Sequence, residues 1–155
     1  MADLTVTYTL TTPGPDITFN NGSLGDGTDK YWIDAIQGLD GPAIRAPVDN
    51  VPFGDGGLIH TFWLGPRRVI FDGMLLLDPS TYENCQERRN DLAFELQNAL
   101  LSIVNVAGTL AWTPVGQSGV TLGVYNEVPL SITYTDNFLV SRFSFGLISG
   151  DALPA

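Results

Sequence analysis

The sequence predicts a mostly-β (α+β) fold: a β-sandwich with one long amphipathic α-helix, over about residues 80–104, packed against it. Three observations predict it. The chain is punctuated by 17 Gly and 10 Pro set between short apolar runs, as in a domain of strands and turns. Several of those runs alternate apolar and polar side chains with a period of two. One stretch alone, after Asp78, carries apolar residues at helical spacing.

Leu4 to Leu10 reads L-T-V-T-Y-T-L, with Leu4, Val6, Tyr8 and Leu10 on one face and threonines on the other, a strand with one buried side. Ile17 to Phe19 is a short second strand, and Asn20 to Lys30 is a loop by composition. From Tyr31 to Gln37 both faces hold bulky apolar residues, Tyr31 and Ile33 on one and Trp32 and Ile36 on the other, so this strand is expected to be covered on both sides. Gly38 to Pro42 is a turn; Ile44 to Val48 is extended, and Pro47 and Pro52 keep the segment out of a central ladder. A second glycine-rich turn, Phe53 to Gly57, precedes a strand from Leu58 to Leu64. Gly65-Pro66 then turns the chain into a long strand from Arg68 to Leu77, interrupted at Gly73, and these two strands are expected to pair as a hairpin.

Ser80 with Glu83 forms a capping box, with Asp78 before Pro79 as the competing cap. Cys85, Leu92, Leu96, Ala99, Leu100 and Ile103 then share one helical stripe, and Asn105 and Gly108 stop the helix near Val104. The remainder is β again: Thr109 to Thr113, Val120 to Tyr125, Val128 to Thr135, and Leu139 to Leu147 after a turn at Asp136-Asn137.

The 155 residues fit a single domain, 1–155, large enough to bury roughly two-thirds of its unfolded surface. Cys85 is the only cysteine, so no intrachain disulfide exists and a reducing place of synthesis is expected. Met1 to Leu10 lacks the basic start and apolar block of a signal peptide. No run reaches the roughly 20 apolar residues of a spanning helix, so no membrane insertion is expected. Seven Lys and Arg against 17 Asp and Glu give a net charge of -10, which argues against nucleic-acid binding by phosphate neutralisation. Eight Phe, five Tyr and three Trp with 15% charged residues leave apolar surface for partners to cover.

Catalytic chemistry finds little support. His60 and Cys85 are the only pair that could make a Cys/His nucleophile, and each reads better as a strand residue and a helix core residue. One His and one Cys do not make a zinc site. Gly25 to Asp29 and Gly54 to Gly57 lack the Gly-Lys-Ser/Thr of a phosphate loop. Asp26 and Asp29 could ligate Ca²⁺, but the full acidic series is absent and the turn reading is the stronger. Nothing in the spacing of Asp34, Asp40, Asp49 and Asp72 selects a glycosidase pair. No catalytic residue, cofactor or metal is therefore expected. Arg67-Arg68 either pairs with carboxylates of a neighbouring subunit or decorates a strand start.

In order, Tyr31-Trp32 to Gly38-Leu39, Gly41-Pro42 with Ile44-Arg45, Asp55-Gly56-Gly57, Gly65-Pro66-Arg67-Arg68-Val69-Ile70, Gly73 within Phe71 to Leu75, and the helix that follows resemble the N-terminal domain of siphophage distal tail proteins, the Dit family. The resemblance covers roughly Leu4 to Leu147 and rests on glycine and turn positions. It implies a tail-tube-like fold and a non-enzymatic virion protein of a long non-contractile tail, made in the host bacterial cytoplasm. Such a protein is expected to form a homohexameric ring, with tail-tube protein on one side and hub, tape-measure or fibre proteins of the tip on the other. DNA would pass through the ring without specific binding. Six copies at -10 each give -60 around such a channel, which repels phosphate if it lines the lumen. The chain stops at Ala155 with no carbohydrate-module-like second domain expected.

The interface residues expected for this role are Phe53, Asp55, His60, Phe62, Trp63, Arg67 and Arg68, in and beside the loop Ala46 to His60, with the loop Asn20 to Lys30 as a further contact. The alternatives are a major tail-tube or terminator-like ring protein, and a glycan-binding β-sandwich presenting Trp32, Trp63 or Trp112 in a shallow groove. An enzyme comes last.

Overall fold

The computed structural model describes residues 6–39, 44–45, 48–50, 57–59, 63–64, 66–79 and 84–150. It is a closed barrel, not a sandwich. Its strands are β1 (Tyr8–Thr11), β2 (Ile17–Phe19), β3 (Lys30–Gln37), β8 (Arg67–Leu76), β9 (Gly108–Trp112), β10 (Val120–Tyr134) and β11 (Val140–Ser149). Around the barrel they run β1-β2-β3-β8-β11-β10-β9, and β9 returns to β1. The expected sandwich fails at β1, which pairs with β2 through Tyr8↔Phe19 and with β9 through Tyr8↔Trp112. A strand bonded on both sides joins what would have been two sheets and removes their free edges. Period-two patterning reports which face is buried, and that face is the same in a sandwich and in a barrel.

The expected hairpin between the strand ending at Leu64 and β8 is also replaced. Between β3 and β8 lie β4 (Ile44–Arg45), β5 (Val48–Asn50), β6 (Gly57–Ile59) and β7 (Trp63–Leu64). Here β4 pairs with β7 and β5 with β6, an arm of two short two-stranded sheets that share no ladder with the barrel. β8 pairs instead with β3 and, over its whole length, with β11. Gly73 does not interrupt β8; it lies opposite Ile33 on one side and Phe143 on the other. Similarly, the two strands expected between Val120 and Thr135 are one strand, β10, which absorbs irregularity as register shifts against β11 between Asn126 and Val128 and between Val128 and Ser131.

Inward-facing aromatics fill the barrel. Phe19 is the centre, with ring centroids 5.6 Å from Phe71, 6.0 Å from Phe145, 6.1 Å from Tyr31 and 6.2 Å from Phe143. Phe71 and Phe145 stack at 5.0 Å, and such contacts add to the area they bury. Asn20 solves the polar problem at the parallel junction of β2 and β3. Its backbone takes φ 57°, tolerable for Asn, and its buried side chain accepts the Ile33 N–H at 2.8 Å while donating to Val6 O at 3.4 Å.

The helix is shorter than expected and less cleanly two-faced. α1 spans Cys85–Ser102, and Asn84 before it has left-handed geometry with no side-chain cap; Ser80 and Glu83 of the expected capping box lie outside the described residues. Ala93, Leu96, Ala99, Leu100 and the C-capping Ile103 join the barrel core. Against the amphipathic expectation, Phe94 and Leu101 are exposed while Arg89 is buried. The Arg89 guanidinium sits 4.6 Å from the Tyr134 ring centroid and 4.9 Å from that of Phe138, a cation–π clamp that ties the β10–β11 turn to the helix. The Tyr31 hydroxyl, donating to Leu92 O at 2.8 Å, fastens the helix from the other side. Burial, and then Glu95, hold the Tyr31 pKa above the ordinary phenol range.

Candidate functional site

Among the described residues no group of three or more His, Cys, Asp or Glu is gathered closely enough to hold a metal ion, and no helix is long and apolar enough to cross a membrane. Cys85 is half-buried at the first turn of α1. His60 lies outside the described residues.

The loop between β2 and β3 explains what its aspartates do. The Lys30 ammonium, nearly buried, donates to Asp26 Oδ2 at 2.7 Å, to Thr28 Oγ1 at 3.1 Å and to Asn21 O. A cation of the protein's own thus occupies the oxygen cluster that a Ca²⁺ ion would need. Asp29 serves elsewhere: its carboxylate accepts from Arg88 Nε at 3.0 Å and from Arg88 Nη2 on the same edge of the guanidinium, and from the Asp78 N–H at 2.8 Å. The loop is thereby knotted on itself and tied to the start of α1. The hydrogen bond from Lys30, then that from Thr28, hold the Asp26 carboxyl down at about 2 from an ordinary 3.8. A depressed carboxyl lends its stability above its unfolded pKa and loses it as pH falls through the folded one. An NMR titration of the Asp26 carboxyl is accordingly expected to show a midpoint near 2; in Lys30→Met the midpoint should return toward 3.8 and the loop amides should lose their dispersion.

The barrel's outer surface divides by charge. On β3, β8, β11 and the β10 residues beside them, Arg68 pairs with Glu127 at 3.0 Å, Arg142 faces Asp34 at 3.5 Å, and Asp72 lies between. These exposed pairs contribute little stability. The arm leaves the barrel from this same pair of strands, β3 and β8. On the other side, the registered rows Thr18-Thr9-Ala111-Thr121 and Thr11-Thr109-Gly123 cross β2, β1, β9 and β10 without a charge. Thr9, Ala111 and Thr121 of the first row floor a shallow recess of about 700 Å³ walled by Trp112 and Val115.

The expected interface residues fall into three groups. Phe53, Asp55, His60 and Phe62 lie outside the described residues, and Trp63 is placed only as part of β7. Arg67 is buried and donates to Leu39 O at 3.1 Å. Arg68 is exposed in its pair with Glu127. As for the tryptophans of a glycan groove, Trp32 and Trp112 are half-buried, and Trp112 packs on Tyr8 at 6.1 Å. The recess beside Trp112 is lined by threonines and apolar side chains, without the carboxylates or amides that fix a sugar. The sequence reading missed this uncharged side, which could have been found by mapping where charges are absent and not only where they cluster.

No known family profile matches the sequence, and no curated protein matches it. Solved structures do. The fold is similar to the Dit protein of phage SPP1, described as a paradigm of the hub adsorption apparatus of phages infecting Gram-positive bacteria, with a TM-score of 0.58 at 18% identity over 95% of this chain and 51% of that one. It is also similar to a chain of the phage p2 baseplate in its activated, Sr-containing conformation, with a TM-score of 0.57 at 10% identity over 96% of this chain and 45% of that one. The chain spans about half the length of each. Its fold is the Dit-like fold that the turn positions of the sequence resemble.

Proposed function

We propose that this Dit-like chain is a structural subunit of a long non-contractile phage tail, and that six copies form a ring joining the distal end of the tail tube to the proteins of the tip. The observation that carries the reading is the fold likeness to SPP1 Dit over 95% of this chain. Physical features support it. The barrel closes on itself and so leaves no sheet edge of its own to polymerise at random, while the arm inserted between β3 and β8 pairs only within itself and is a means of reaching a neighbour. The described chemistry is that of packing and pairing, and the role proposed is non-enzymatic. With -10 per copy, a ring admits DNA without holding its phosphates. Tail-tube protein on one face and hub, tape-measure or fibre proteins on the other are the partners of such a ring, and its place is the virion.

Light scattering of the purified chain over a range of concentrations tests this reading. A species near six times the 16.7 kDa chain mass, alone or on addition of tail-tube protein, is the expected result. Long polymers would assign the chain to the tube itself, and a monomer that binds a sugar would replace the structural reading with a lectin.

A further inference from the structure

From Leu96 to Asn126 the chain contains no Asp, Glu, Lys, Arg or His. That stretch builds the second half of α1, the connection into β9, β9 itself, the turn after it and the start of β10. The β1 strand beside β9 is uncharged as well. The outcome is an uncharged flank, bordered by Glu127 at the end of the stretch and by the β1–β2 loop of Asp16, whose Gly14 lies against Ser102, on a chain of net charge -10. It is also apolar where it meets solvent: Leu101, Val104, Val106, Val115 and Tyr125 are exposed by 59%, 46%, 56%, 75% and 40%. The recess over Thr9, Ala111 and Thr121 lies at one end of it.

We infer that this flank is one of the two surfaces through which a second copy of the same chain binds, an inference that rests on the ring reading above. Charge selects the occupant. The described acids lie outside this stretch: Glu87, Asp91 and Glu95 on the first part of α1, Asp34, Asp72 and Glu127 on the charged face, Asp49 in β5, and Asp16, Asp26, Asp29, Asp78 and Asp136 in loops. A neighbour that approaches through any of those regions meets carboxylates, and wherever its own facing surface is acidic such like-charge contacts cost several kcal/mol. The flank is where this chain approaches another of its own kind without that repulsion, and its exposed aliphatic side chains supply the apolar burial that a lasting contact needs. A ring contact is head-to-tail, so the flank meets a different surface of the neighbour.

The test places a charge on the flank and an equal charge off it. Ala111→Glu puts a carboxylate between Thr9 and Thr121, and Leu101→Glu puts one on an already exposed helix position. Gln86→Glu, on the exposed first turn of α1, is the control. Circular dichroism and thermal melting identify any variant that fails to fold; should Ala111→Glu fail, Leu101→Glu decides. The expected result is that both flank variants need about 100-fold or more protein to assemble, as an unpaired interfacial charge demands, while Gln86→Glu assembles like the wild type. Flank variants that assemble as readily as the wild type overturn the inference and leave the ring standing. Equal loss in Gln86→Glu overturns it too, since assembly then responds to added charge anywhere. A wild type that stays monomeric even with tail-tube protein overturns the ring reading, and the inference with it.

Discussion

Phe19→Ala is expected to destabilise the barrel by about 3–5 kcal/mol, a large share of the roughly 5–15 kcal/mol available to a domain. Four aromatic rings, those of Tyr31, Phe71, Phe143 and Phe145, close around the Phe19 ring. They come from β3, β8 and β11, the three strands that follow β2 around the barrel. Those strands hold one another in fixed register, so they cannot collapse into the space left behind, and the cavity term adds to the lost transfer energy. A fall of about 10 °C in the melting midpoint follows from the size of the domain. Phe19→Leu should lose much less because it keeps most of the volume. Urea unfolding of both variants checks the pair. Equal stability of Phe19→Ala and the wild type would mean that the barrel interior is not packed as described.

Gly73→Val should cost more than about 4 kcal/mol and leave little folded protein at 37 °C. A Cβ at this position would lie 2.2 Å from the Trp32 carbonyl oxygen and 2.7 Å from Phe143 Cζ. The ring can swing aside, but the carbonyl is backbone in the neighbouring strand, so relief requires β3 to part from β8. That contact is central: β8 is bonded to β3 on one side and β11 on the other. Gly150→Ala, where a Cβ meets nothing within 4 Å, is the matched control and should be neutral. Soluble yield and circular dichroism of the two variants read the difference directly.

Gly73 also shows where sequence reading stops. Its smallness was visible as a break in an apolar run, yet the cause is a close approach by a strand forty positions away, which no local pattern reports. The same limit accounts for the sandwich expected in place of a barrel. Alternation in β1, β8 and β11 identifies inward faces correctly, but Tyr8↔Trp112, the pairing that closes the barrel, joins residues far apart in the chain, with β2, β3, β8 and α1 between them. The helix was legible from Leu96, Ala99 and Leu100; its start was not, because the left-handed turn at Asn84 precedes it and Arg89 occupies a buried place that its charge disguises. Arg89 is accommodated by Tyr134 at the far end of β10 and by Phe138 in the turn that follows it. In the candidate site, the loop aspartates were legible as turn residues. That Lys30 is the cation they enclose was not, since lysine is among the side chains least often buried.

The Dit-like resemblance was carried by the order of glycine and proline positions along the chain, and it survived the change of architecture because that order does not depend on how the sheet closes. They say nothing of which surface meets a neighbour. The segregation of charge does, since it leaves a flank from Leu96 to Asn126 free of it on an acidic chain and so gives the ring reading a surface on which to act.

Electron cryomicroscopy of the assembled particles, averaged down their axis, tests the central claim most directly. The account predicts closed rings of six copies around an open channel, with the segment from Leu96 to Asn126 at the boundary between neighbouring copies. Particles that lack a channel, or rings in which that segment faces solvent on every copy, would contradict it.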